Sequence, residues 1–295
     1  MLLVTFIEGG KSRLGILDRT RDEVVDLFRA ASGLPQDMAA FIALGEPGLA
    51  EARRAEASGE GRVPLARVRL TAPIPKPARN IFCVGKNYRE HAQELQTAGL
   101  KGGGAEAIPD LPIFFTKATS SVIGPGEPIP AWLDPTNSTD YEGELAVVIG
   151  PGGRGIARAE AMRHVYGYTI VNDVTSRALQ RRHQQWFLGK SLDGFCPMGP
   201  AIATADEIAD VRTLRIQTRV NGELRQDAPV SGLIFDIPTL IETLARTMTL
   251  APGDVIATGT PAGVGMGFKP PRFLKQGDVV TITIDPIGTL ENPVA

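Results

Sequence analysis

The chain has 295 residues, a formal net charge of −2, and 43% hydrophobic and 22% charged side chains. That is enough apolar material for a large core with a smaller second unit, and it excludes a disordered chain. With no basic run and no zinc-finger spacing, nucleic acid is not an expected partner.

The apolar start "MLLVTFIEGG" is too short for a signal-peptide core and lacks a preceding basic segment. No apolar run approaches the roughly 20 residues of a spanning helix, so a soluble, cytoplasmic protein with no membrane partner is expected. "LLVTFIE" and "RLGILD" read as short strands, "EVVDLFRAA" and "DMAAFIALGEPGLAEARRAEA" as helices, and "LARVRL" as a further strand. Together they predict a small N-terminal α+β domain over residues 1–72. The three prolines of "APIPKPARN" suit an extended linker, and a boundary is expected there, with a second domain over 73–295. In that domain "NIFCVG", "PIFFTKA", "ELAVVIG", "VYGYTIVND", "LRIQTRVNG", "DVIATGT" and "VVTITIDPIG" are strand-like runs bounded by Gly, Pro and Asp. Asn221-Gly222 is a favoured two-residue hairpin turn, which predicts antiparallel pairing. "IPTLIETLARTM" has helical spacing with Pro238 in its first turn, but no regular βαβ alternation appears. The fold class is therefore α+β, mostly β, and neither doubly wound nor a β/α barrel. Cys83 and Cys196 are too few for a disulfide framework and read as small packing residues.

Several stretches carry chemistry. After "NIFCVG", Asn87 and Glu90 have capping-box spacing, so a short helix is expected from about Tyr88. His91 and Glu94 then share a helical face, which suits a general base held by a carboxylate, although such a pair standing alone is usually a solvated surface pair. The glycine cluster in "TAGLKGGGAEAIPD" reads as a mobile lid or as a plain loop. In "DYEGELAVVIG", Glu142 and Glu144 point to one face of a strand while Tyr141, Leu145, Val147 and Ile149 point to the other. Asp173 ends "YGYTIVND", where it either caps a helix or joins those two glutamates. Three carboxylates at strand ends form a hard oxygen set suited to Mg²⁺, or to Mn²⁺, and no His or Cys accompanies them to favour zinc. Lys190 supplies positive charge beside such a site, or is a solvated surface lysine. "LGKS" is not the end of a phosphate-binding loop, because Gln184 stands where the first glycine is needed. "GTPAGVGMG" lacks dinucleotide-binding spacing; it is a structural turn, or it presents backbone amides and Thr260 to an anionic group.

Taken in order, "NIFCVGKNYREHAQE", "DYEGELAVVIG", "NDVTSRALQ", "GKSLDGFCPMGP", "RVNGELRQ" and "APGDVIATGTPAGVGMG" make the chain resemble the fumarylacetoacetate hydrolase family, in particular its acylpyruvate-hydrolase-like bacterial branch. The resemblance covers essentially everything after residue 78. It implies a mixed β-sandwich or β-roll catalytic domain and a homodimer. It implies Glu142, Glu144 and Asp173 as metal ligands, His91 and Glu94 as a catalytic dyad on a lid, and Lys190 facing the substrate. Arg177, Gln180 and Thr260 match positions that line the site, whereas His164 and His183 match no catalytic position. The implied activity is hydrolysis of a C–C bond in a 2,4-diketo acid, such as fumarylpyruvate or a diketo-deoxy sugar acid, met in aromatic or sugar-acid breakdown. His91 would activate water and a pyruvate enolate would leave. Oxaloacetate decarboxylation, hydration of a 2-oxo-enoic acid and isomerisation of a hydroxymuconate-type diacid are the alternatives. A non-catalytic ligand-binding protein is a distant one.

Overall fold

Apolar runs with a two-residue period form the strands, and prolines and glycines mark the turns between them. The computed structural model describes residues 1–97, 99 and 108–295; the glycine cluster expected as a lid lies largely outside the described residues. The N-terminal segment supplies β1 (Leu2–Glu8), β2 (Lys11–Asp18), β3 (Glu23–Asp26), β4 (Arg62–Pro64) and β5 (Arg69–Leu70). Between β3 and β4 lie α1 (Leu27–Ala30), α2 (Met38–Ala43) and α3 (Glu46–Ser58). "EVVDLFRAA", expected as one helix, is divided. Val24 and Val25 are fully buried in β3, which pairs with both β2 and β4, and Asp26 then caps α1 by accepting the Phe28 N–H. Packing of the β-branched pair outweighs local helical periodicity.

The chain continues with β6 (Ile81–Gly85), α4 (Arg89–Thr97), β7 (Ile113–Lys117), β8 (Val122–Ile123), β9 (Thr139–Asp140) and β10 (Gly143–Ile149). Next come β11 (Val165–Asn172), β12 (Thr175–Ser176), α5 (Arg177–Arg182), α6 (Phe187–Lys190) and β13 (Cys196–Thr204). Last are β14 (Arg215–Val220), β15 (Glu223–Pro229), α7 (Ile237–Thr247), β16 (Val255–Ala257), β17 (Val279–Ile284) and β18 (Gly288–Pro293). The main sheet runs β4-β3-β2-β1-β13-β11-β10-β16-β6-β7, and a second sheet runs β15-β14-β17-β18. Neighbours along this order are antiparallel except β16 with β6, and β8, off the order, pairs in parallel with β13. The β14–β15 hairpin turns at Asn221 and Gly222, both with positive φ, as the sequence predicts.

Tyr141, Leu145, Val147 and Ile149 on one face of the β10 segment share a core with β14, β17 and α7, while Ala146 and Val148 on the other share one with the N-terminal segment. The strand carrying the two glutamates is therefore covered on both faces. β1 pairs directly with β13, Leu3 opposite Ile202, so the segments on either side of residue 72 contribute strands to one sheet. β13 lies outside the strand-like runs of the sequence, and its Pro197 and Pro200 are unusual in a central strand. It is accommodated by an irregular register with β11 between Tyr168 and Ile170. The architecture is the expected mostly β, α+β sandwich. Among the described residues no helix is long and apolar enough to cross a membrane.

Candidate active site

Glu142 and Glu144 enter β10 on one face, and the antiparallel neighbour β11 ends beside them. The Asp173 N–H donates to the Glu142 carbonyl at 2.8 Å, and the Glu142 N–H donates to Asn172 Oδ1 at 3.0 Å. These backbone links bring carboxylate oxygens of Glu142, Glu144 and Asp173 within 4.8 Å of one another, all buried. Asp173 is thus a member of the acid cluster and caps no helix; Ser176 stands at the start of α5.

The cluster is partly neutralised from within. Lys190 Nζ donates to Glu142 Oε2 and Asp173 Oδ2, each at 2.7 Å, and Lys117 Nζ lies 2.8 Å from Asp173 Oδ1. Arg177 reaches Glu142 Oε1 at 2.6 Å and Asp140 Oδ2 at 2.8 Å. Four carboxylates, counting Asp140, thus meet three cations, and Glu144 has no ion pair among the described residues. It accepts one hydrogen bond, from the Gly259 N–H at 2.8 Å. Burial, then the charges of Asp173 and Glu142, push the Glu144 carboxyl well above its ordinary range. Burial acts on Glu142 too, but Lys190 and Arg177 outweigh it and hold that carboxyl low. Burial would lower Lys190, and Asp173 and Glu142 reverse this and raise it. An all-oxygen, buried donor set with one surplus negative charge fits a hard divalent cation.

The second wall comes from α4. His91 Nδ1 lies 3.1 Å from Glu94 Oε2, and Glu94 Oε1 accepts the Gly263 N–H at 3.0 Å. His91 is buried, so the pair is not a solvated surface pair. The expected capping by Asn87 does not occur. Its amide donates to the carbonyls of Phe235 and Thr258 and its oxygen accepts the Phe235 N–H, tying the turn after β6 to the segments preceding α7 and following β16. One cavity is lined by His91, Glu142, Glu144, Gln180, Lys190 and Thr260. Arg177 stands behind the acids, its Nε on Asp140 and its Nη1 on Glu142 and Gln180. Thr260 Oγ1 donates to the Gly143 carbonyl and accepts from Gln226 Nε2. "GTPAGVGMG" is a strap whose amides hold the acids themselves: Gly259 holds Glu144, Gly263 holds Glu94, and Gly265 and Met266 hold Asp140.

Lys117, Asp140 and Gln226 escaped the sequence reading. A lysine closing the apolar run "PIFFTK" and an aspartate two residues before Glu142 were the available signals; Gln226 gave none. Cys83 and Cys196 are free and buried, with thiols pushed up chiefly by burial, as packing residues should be. His164 contacts the Pro151 carbonyl, away from the cavity.

A family model described as "Fumarylacetoacetate (FAA) hydrolase C-terminal" matches residues 80–295. The chain belongs to the fumarylacetoacetate hydrolase family. Oxaloacetate tautomerase YisK of Bacillus subtilis is 48% identical over 288 residues, covering 92% of this chain and 93% of its own. A solved fumarylacetoacetate hydrolase from Exiguobacterium antarcticum superposes with a TM-score of 0.84 at 42% identity, covering 100% of this chain and 99% of that one. Maleylpyruvate hydrolase from Sphingobium sp. SYK-6, solved with manganese(II) and pyruvate, gives 0.80 at 34% identity, covering 100% and 99%. The fumarylacetoacetate hydrolase family is one of enzymes that use a divalent metal, and the strand-rich sandwich described above is its fold.

Proposed function

We propose that the protein is a divalent-metal-dependent tautomerase of short 2-oxo acids, interconverting the enol and keto forms of oxaloacetate. The observation that carries the reading is that one cavity is lined by His91, which is held by Glu94, and by Glu142 and Glu144 of the buried acid triad. The near-full-length similarity to an oxaloacetate tautomerase supports it. Glu142, Glu144 and Asp173 would hold Mg²⁺ or Mn²⁺, which when bound polarises the substrate's keto group and acidifies the neighbouring C–H. Glu94, fixed by the Gly263 amide, keeps the proton on His91 Nδ1 and leaves Nε2 as the base. His91 Nε2 takes the C3 proton of the keto form while the enolate oxygen gains one from water; in the reverse direction the enol O–H proton leaves to water and His91, protonated at Nε2 from solvent, gives its proton to C3. The Lys190 ammonium directs two of its three N–H donors at Glu142 and Asp173 and has a third for charge developing on the substrate oxygen.

A second reading is hydrolysis of an acylpyruvate, favoured by the pyruvate held in the similar maleylpyruvate hydrolase. There His91 would deprotonate water instead of carbon. Purified protein with Mg²⁺ should accelerate the decay of the enol absorbance of oxaloacetate, with chelator and His91→Ala each abolishing the effect. Pyruvate release from fumarylpyruvate, measured alongside, reads the hydrolase. Pyruvate release with an unaltered enol decay would replace the first reading with the second.

A further inference from the structure

Lys86, immediately after β6, lines the same cavity as His91, Glu142, Glu144 and Lys190. It is only 5% exposed. The other buried cations here have carboxylate partners: Lys190 with Glu142 and Asp173, Lys117 with Asp173, and Arg177 with Asp140 and Glu142. Among the described residues Lys86 has no carboxylate, carbonyl or hydroxyl partner. A buried ammonium without a counter-charge is unfavourable, and burial lowers its pKa accordingly.

The backbone adds a second, independent observation. Lys86 has φ of 55°, a left-handed conformation that costs a non-glycine residue roughly 1–2 kcal/mol. Its neighbours hold it there: a Cβ on Gly85 would lie 2.5 Å from the Trp186 ring, and the Asn87 side chain is clamped by Phe235 and Thr258. Backbone strain of this kind persists where it aims a side chain. Gln180, which lines the same cavity, accepts a hydrogen bond from Arg177 through its Oε1, which leaves its NH₂ group as a further donor.

We propose that Lys86 receives the second carboxylate of a dicarboxylic 2-oxo acid, making short 2-oxo diacids the substrate class of this site. The inference rests on the proposed function in one respect, that the substrate's chelating end lies at Glu142, Glu144 and Asp173. The distal carboxylate then supplies the missing counter-charge. A monocarboxylic 2-oxo acid leaves the buried ammonium unpaired, and selection against it follows from that unpaired group.

The test measures binding of malate and lactate to the Mg²⁺-loaded protein by calorimetry. These 2-hydroxy acids share a chelating head, differ in the distal carboxylate, and neither enolises. Wild type should bind malate about 10-fold or more tightly over lactate, Lys86→Met should bring the ratio near one, and Lys86→Arg should keep the preference. Melting temperatures of both variants within a few degrees of wild type exclude misfolding as the cause, and Lys86→Gln replaces a Met variant that unfolds. Wild type binding both acids alike, or neither, overturns the proposal, as does a preference that survives Lys86→Met. Enol turnover is scored separately. A malate preference erased by Lys86→Met without any tautomerase activity leaves Lys86 standing and removes the tautomerase; turnover with an unchanged preference does the reverse.

Discussion

Glu142 and Glu144 are two positions apart on one strand face, but the first is paired with Lys190 and Arg177 while the second has only a backbone amide. The same substitution should therefore have different consequences. In metal-free protein, Glu142→Gln leaves two buried cations short of a partner and should cost about 3–5 kcal/mol. Glu144→Gln keeps an acceptor for Gly259 and removes a charge repelled by Asp173 and Glu142, so its stability should stay within about 1 kcal/mol of wild type or rise. Urea unfolding in chelator measures both, and equal losses would refute the pairing scheme. Both variants should lose Mn²⁺ binding in calorimetry. Gly267 carries a related prediction for the dyad: a Cβ there would lie 1.9 Å from Glu94 Oε1, a contact no side chain can make. Gly267→Ala should displace Glu94 and lower kcat about 10-fold or more through the loosened imidazole, leaving Mn²⁺ affinity near wild type. Loss of metal binding in that variant would show that the strap shapes the acid triad as well.

At the level of elements, β10 carries the acids into the core at a glycine that admits no side chain. A Cβ on Gly143 would meet Thr218 Oγ1 of β14 at 2.2 Å. Gly143→Ala should push β10 away from the second sheet, lowering stability and Mn²⁺ affinity together. Thr218→Ala, which also removes a buried hydroxyl without a partner, should recover part of both. Failure of that double variant to recover either would point to backbone strain at Gly143 and away from the Thr218 contact. The alternation around Glu142 was legible in the sequence because strand periodicity is local. β3 and β13 were not: Val24 and Val25 become a strand only when β2 and β4 flank them, and the prolines of β13 fit only against the irregular register of β11. Asn87 was misread for a similar reason, since its partners Phe235 and Thr258 are remote in sequence.

For the molecule as a whole, the mostly β class and the acid cluster could be read from the sequence because each rests on short, regular patterns. Of the counter-charges, Lys190 stood out in the sequence beside the acids, whereas the pairing of Lys117 and Arg177 needed the assembled sheets to bring β7 and α5 against the ends of β10 and β11. That assembly would make metal binding a property of the folded state: the triad draws on two strands separated by a long connection, and the unfolded chain has no comparable site. A cation that binds only the native state stabilises it by about 2.7 kcal/mol at a free concentration one hundred times Kd, which for a chain of this size is a melting-temperature rise of about 4 °C. Mg²⁺ and Mn²⁺ should each produce such a rise in wild type, and none in Glu144→Gln at the same concentrations. The comparison is sharp because Glu144 is the acid without a cationic partner, so removing its charge should take away the affinity while leaving the metal-free melting temperature nearly where it was. A rise of equal size in Glu144→Gln would mean that the stabilising cation binds elsewhere on the molecule, and the triad would lose its assignment as the metal centre.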